Sequence, residues 1–284
     1  MTDDRDAELS KLRKELRIMV RRLDQCQRNR KELGYLKDKL DHVLLREEEA
    51  RLEIEQKRAE LVELNERLSM ERKRSIALLE SLVPIPIAQQ LRESGKTQTC
   101  IASRSTVLCA DLVDYSTIAQ RMAPQDIVAA LDLLFSQYGS VAVRNGMEPL
   151  RSTGGLFRCV GGLFASEPNE QHIARAAVNT ALEIIETTRQ HACYLTPQGM
   201  SWHLRVGIHV GPVVGGLVGD HRLSFDMFGE TVELAWALCQ ASEAGRVHVS
   251  REVARACDGV FDVVARSPAS DKDGNPVEMY WVSP

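Results

Sequence analysis

Two aspartates three residues apart, Asp111 and Asp114, stand where a short apolar run (Thr106-Val107-Leu108-Cys109-Ala110) gives way to a loop. A carboxylate at the end of a strand is where a hard divalent cation can be held, because such ions take clustered oxygen ligands. One carboxylate with a few carbonyls holds Mg²⁺ or Mn²⁺ only weakly, and a plain turn or helix cap is the other role for Asp111. Other chemistries have less support. Gly207, Gly211, Gly215, Gly216 and Gly219 cluster, but no Gly-Lys-Ser/Thr follows them, so close backbone approach explains them better than a phosphate-cradling P-loop. His209 sits in an apolar stretch and reads as a packed side chain, while His203, His221 and His248 lack metal-ligand spacing. The seven cysteines are scattered without a C-x-x-C pair, as expected of reduced thiols in a cytoplasmic protein.

The elements that must position these residues begin near residue 104. Helical spacing of apolar residues marks 125–145, 172–191 and 230–240, and apolar runs mark strands at 106–110, 204–210, 247–249 and 277–282. Residues 156–164, interrupted by Gly161-Gly162, read as a strand or hairpin. Strands alternating with helices around one sheet give an α/β or α+β sandwich.

Upstream the composition changes. Residues 1–83 contain no proline, one glycine (Gly34), and dense Glu, Lys, Arg and Leu. Leu9, Leu12, Leu16, Met19 and Leu23 open an alternating three-four spacing that slips at Leu33 and resumes from Leu36 through Leu82. That period specifies a parallel, left-handed coiled coil, with a stammer beside Gly34. A helix folded back on the globular part fits less well, since roughly 75 helical residues span over 100 Å. Glu47, Lys57, Glu71 and Ser75 weaken the second half of the seam. Pro84 and Pro86 end the helix, so the division expected is a dimeric coiled coil over 1–83, a proline-containing connector over 84–103 and a globular domain over 104–284. No apolar run approaches 18 residues and the N-terminus is charged, so neither a membrane span nor a signal segment is expected; a net charge of −4 and a pI near 6.0 give no reason to expect nucleic acid.

Arg205-Val-Gly-Ile-His-Val-Gly-Pro-Val-Val-Gly-Gly216, then Phe225-Asp-Met-Phe-Gly-Glu-Thr-Val232, with Val107–Val113 upstream, resembles the catalytic domain of class III adenylate and guanylate cyclases. The resemblance implies a ferredoxin-like core, βαββαβ with additions, whose two copies pair head to tail. It also implies a nucleoside triphosphate ligand, with two divalent metals activating the ribose 3′-oxygen for attack on the α-phosphorus. The segment 81–91 resembles the helix-and-proline connector that precedes many such domains.

Carried over position by position, Asp111 matches the first metal-binding aspartate, and Gly155 stands where the second belongs. Asp114 replaces a glycine of the phosphate-wrapping loop; its negative charge repels phosphate more than it rescues metal binding. Arg151 and Asp226 take the base-recognition places, Asp226 being the adenine-type choice, and the two could instead pair with each other. The transition-state asparagine and arginine are Glu233 and Ala237, each lost donor being worth ~3–4 kcal/mol. Lys272, in Asp-Lys-Asp-Gly, meets the phosphate lysine only after a one-residue shift. The expectation is a degenerate cyclase-homology protein that signals by dimerising, by binding nucleotide without turnover, or by regulating a protein partner or a complementary cyclase. The rivals are an active adenylate cyclase built on Asp111, Asp114, Arg151 and Asp226, and an assembly adaptor acting through its coiled coil.

Overall fold

The structure, a computed structural model, describes residues 3–150, 152–195, 201–219, 223–270 and 274–283. Residues 1–75 form one unit and residues 76–284 a second, compact one. Helix α1, Asp3–Leu82, runs 80 residues and passes through Gly34 without a break. Its Leu, Glu, Lys and Arg content favours helix, and pairs such as Glu53–Lys57 and Glu63–Arg67, each 2.7 Å, add a few tenths of a kcal/mol apiece. Among its described residues the seam is exposed: Leu16 is 60 %, Leu40 57 % and Leu61 58 % exposed.

The two prolines interrupt the helix and also start another. Pro84 adopts an extended conformation, and α2 (Ile85–Ser94) follows with Pro86 in its first turn, where a missing N–H leaves no bond unmade. Gly95, at φ +67°, closes α2 by donating its N–H to Leu91 O at 2.9 Å. Half of the connector expected at 84–103 is therefore this helix, and its Ile87 and Ala88 are fully buried against the sheet.

Strand β1 (Cys100–Leu112) is followed by α3 (Tyr115–Ala119), α4 (Pro124–Arg144), the hairpin β2 (Glu148–Pro149) and β3 (Leu156–Gly161), α5 (Glu170–Leu195) and β4 (Leu204–Val218). Both β3 and β4 flank β1 antiparallel, giving the order β2-β3-β1-β4 of a ferredoxin-like βαββαβ core. Strand β5 (Ser224–Phe228) pairs back on β4; α6 (Glu230–Ala241) then crosses to β6 (Val247–Val249), which lies parallel to β4. Helix α7 (Arg251–Cys257), β7 (Asp262–Ser270) and β8 (Pro276–Ser283) finish the sheet, of which α7 and β7 carry no strong period in the sequence. The fold is α+β: a long N-terminal helix followed by a ferredoxin-like domain.

Alternation along β1 divides the core. Leu108, Ala110 and Leu112 face α4 and α5; Val107 and Cys109 face α2 and α6. By the same parity Asp111 belongs to the α6 face, as do Arg158 on β3 and Arg205 on β4. Helix α6 can lie on that face because residue 207 is glycine: a Cβ there would sit 2.7 Å from Cys239 Cα and closer still to backbone atoms of Cys239 and Ala235. Among the described helices α4 alone is long and apolar enough to cross a membrane by length and composition, a property the apolar-run reading did not show. Its Ala130, Leu134, Tyr138, Val141 and Ala142 are core residues.

Candidate functional site

The α6 face of the sheet, at the end of β1, gathers charged side chains from four elements. Asp111 lies opposite Arg205 in the β1–β4 register, and the two form an ion pair of 2.7 Å with Nε donating as well at 3.0 Å. Both are largely buried, with side chains 16 % and 22 % exposed. Arg205 also donates to Gln240 Oε1 at 2.9 Å and to the Gln240 carbonyl at 3.2 Å, in the last turn of α6 where backbone carbonyls carry partial negative charge. Asp111 is thus not a helix cap; its Oδ2 takes the Arg205 donors and, at 3.4 Å, Gln240 Nε2.

The second carboxylate position is occupied sterically. Gly155 is buried, and a Cβ added there would lie 2.9 Å from both Cβ and Cγ of Tyr115 and 3.3 Å from Leu112 Cβ. Tyr115 begins α3 and leans on Trp202, ring centroids 6.0 Å apart. Asp114, exposed and at φ +55°, stands at the N-terminal end of α3, where its carbonyl accepts the Ile118 N–H at 3.0 Å but its side chain makes no cap bond. Two backbone donors after Asp111 are already engaged: Leu112 N–H with Gly155 O at 3.0 Å and Val113 N–H with His203 O at 2.8 Å. Among the described residues no three carboxylate, imidazole or thiol groups converge as a metal site. A two-ion clamp does not fit these residues.

Asp226, on β5, is paired within the chain. Arg158 Nη1 approaches Asp226 Oδ1 at 3.1 Å and Nη2 donates to Oδ2 at 3.4 Å, while Met227 N–H donates to Oδ1 at 2.8 Å. The arginine paired with Asp226 is Arg158, a residue not expected there; the Arg151–Asp226 pairing lies outside the described residues, as do Lys272 and His221. Cys109 sits between the two ion pairs: burial pushes its thiol up to about 12, with Arg158 opposing the rise and Asp111 adding to it. Glu233 and Ala237 fall one turn apart on α6, Glu233 exposed and Ala237 half-buried, so no guanidinium is offered from that helix face. A cleft of about 530 Å³ borders Leu150 and Phe225, but neither Asp111 nor Asp226 lines it.

Two histidines on the sheet are packed inward. Burial lowers the His209 pKa, Glu252 (3.8 Å away) opposing the effect. His248 accepts the Trp281 indole N–H, and burial with nearby Arg266 and Arg246 brings its pKa down to about 4. Cys109, Cys159, Cys239 and Cys257 are buried free thiols, and Cys26 is exposed.

Residue-type reasoning missed Arg158, Arg205, Gln240 and Tyr115. Arg205 opens the Arg-Val-Gly-Ile-His segment and strand pairing sets it opposite Asp111, so its signal was register; Tyr115 and Arg158 gave none without the strand order.

Residues 100–284 match the family model for the adenylate and guanylate cyclase catalytic domain. An adenylate cyclase of Mycobacterium tuberculosis is 32 % identical over 189 residues, covering 66 % of this chain and 41 % of the relative. The beta-2 subunit of soluble guanylate cyclase from Rattus norvegicus is 29 % identical over 244 residues, covering 86 % and 35 % respectively. The chain therefore spans well under half the length of these curated relatives. Among solved structures, the guanylate cyclase domain of RhGC from Catenaria anguillulae, in complex with GTP, superposes with a TM-score of 0.59 at 28 % identity, over 66 % of this chain and 98 % of that one. With the ferredoxin-like core and the motif positions in register, the chain belongs to the adenylate and guanylate cyclase catalytic domain family.

Proposed function

We propose that the chain is a catalytically silent cyclase-homology protein that binds a nucleoside triphosphate without converting it, and signals through dimerisation. One observation carries the reading: the place of the second metal ligand is filled by Tyr115 packed on Gly155. The paired state of Asp111 and the alanine at 237 point the same way. Without two ions the 3′-hydroxyl is not activated, and without donors from α6 the charge growing on the phosphate is not offset. Nucleotide binding is proposed on the likeness to the Catenaria neighbour, which was solved with GTP.

The dimer is proposed from α1. Its three-four apolar seam, more than half exposed at Leu16, Leu33, Leu40, Ile54 and Leu61, is the surface a parallel second copy would cover. The cyclase domains of the two copies would then meet head to tail, in the cytoplasm, available to a protein partner or a complementary cyclase.

The test is calorimetric titration of the full chain with ATP and GTP, each with Mn²⁺ or Mg²⁺, beside a cyclic-nucleotide assay. Binding without product is expected; product at ordinary enzyme rates refutes silence. The relatives' names support the rival adenylate cyclase, under which product forms and Asp111→Ala abolishes it. Light scattering should give a dimer for the full chain and a lower mass for residues 76–284; equal association of both would remove α1 as the dimerising element.

A further inference from the structure

Asp226 alone, by the family pattern, would select adenine by accepting its exocyclic amino protons. Its oxygens are committed instead. Oδ1 takes the Met227 N–H (2.8 Å) and Arg158 Nη1 (3.1 Å), and Oδ2 takes Arg158 Nη2 (3.4 Å). A carboxylate offers about four acceptor positions, so most are spent. What the pair presents outward is the remainder of the guanidinium. A guanidinium held end-on through both Nη atoms keeps a second edge, Nε–H beside an outer Nη–H, as two parallel donors. Arg158 is set on strand β3, its guanidinium is fixed by the two contacts to Asp226, and 17 % of its side chain is exposed.

Parallel donors match one purine. Guanine places two acceptors, O6 and N7, side by side, the arrangement an arginine fork reads in one plane. Adenine places an amino donor where guanine has O6, so donor would face donor.

We infer that Arg158, held by Asp226, is the specificity-determining residue of the nucleotide site and makes it prefer a guanine over an adenine nucleotide, against the rule its aspartate alone would set. The inference rests on the nucleotide-binding reading above. A good bidentate pair discriminates by roughly 10- to 100-fold.

Affinities of GTP and ATP are measured by calorimetry for the full chain, Arg158→Lys and Arg158→Met, with thermal midpoints recorded for each. Lysine keeps the charge and the pair with Asp226 but offers no parallel edge, so it separates donor geometry from folding. The expected result is a wild-type preference for GTP of roughly 10- to 100-fold that falls within about threefold in both variants. Equal binding, preference for ATP, or a GTP preference that survives Arg158→Met overturns the inference while leaving nucleotide binding standing. Failure of the wild type and both variants to bind either nucleotide overturns the nucleotide-binding reading itself, and this inference with it.

Discussion

If Tyr115 occupies the place of a second metal ligand, restoring the aspartate at 155 should damage the fold before it repairs anything. The contact is with Cβ and Cγ of Tyr115, 2.9 Å from a Cβ at 155, and with Leu112 Cβ at 3.3 Å. A rotamer change can move Cγ but not the Cβ atoms, which are fixed to the backbone, so α3 itself must shift. Gly155 does not lie in the left-handed region, so the cost of Gly155→Ala is steric, about 1–3 kcal/mol as for other overpacked sites. At 2–4 °C per kcal/mol for a domain of this size, the midpoint should fall by about 2–12 °C. Gly155→Asp adds a buried carboxylate next to Asp111 and should cost about 1–3 kcal/mol more. The measurement is thermal unfolding of Gly155→Ala, Gly155→Asp, Tyr115→Gly and Tyr115→Gly/Gly155→Ala. Removing the tyrosine stem should erase most of the Gly155→Ala penalty, a coupling of about 1–2 kcal/mol. Additive effects, an unchanged midpoint for Gly155→Ala, or cyclic nucleotide formed by Gly155→Asp alone would each refute the steric argument.

Three further outcomes follow from the same contacts. Gly207→Ala should lower the midpoint strongly, because the new methyl meets α6 backbone rather than a movable side chain; Gly34→Ala, with nothing within 4 Å, should stabilise α1 by about 0.5–1 kcal/mol, and the reverse ranking in paired melts would be inconsistent with this packing. The fully buried His248 has a folded pKa near 4 against about 6.5 unfolded, so the unfolded chain binds the extra proton first: stability should fall as pH drops from 6.5 to 4, by on the order of 3 kcal/mol, and His248→Gln should remove that part of the slope in pH-dependent denaturation. Brief maleimide treatment of the native protein should label Cys26 and spare Cys109, Cys159, Cys239 and Cys257, whose thiols are buried and held protonated; equal labelling in peptide mass mapping would contradict that burial.

The long helix was legible because eighty residues without proline and with a steady charge-and-leucine pattern admit little else. The central strands were legible as apolar runs, but their lengths were not. Strand β4 continues to Val218 because β5 pairs with Val214–Val218, and glycines at 215 and 216 hide that pairing from any propensity. Helix α7 and β7 are short and mixed in polarity, so their signal was below what a seven- or nine-residue window carries. In the site, the substitutions at 155, 233 and 237 could be read residue by residue. The ion pairs could not, because Arg158 reaches Asp226 from β3 to β5, strands that are not neighbours in the sheet.

The departures from a metal-dependent site fit one another electrostatically. Two divalent ions among several carboxylates would be balanced by a polyanionic substrate. Here one carboxylate is balanced by one fixed guanidinium, Asp111 by Arg205, and a second such pair, Asp226 with Arg158, sits nearby. Each pair is close to neutral, and removing either partner of the Asp111–Arg205 pair leaves a largely buried charge to bear its own desolvation cost. On the silent reading, reverting one position at a time creates an unbalanced charge rather than a working part: Gly155→Asp has no room beside Tyr115, and Ala237→Arg adds a donor without the second ion. Recovery of turnover, on the silent reading, requires room beside Gly155, a carboxylate in it and donors at 233 and 237 together, which is why no single substitution should suffice.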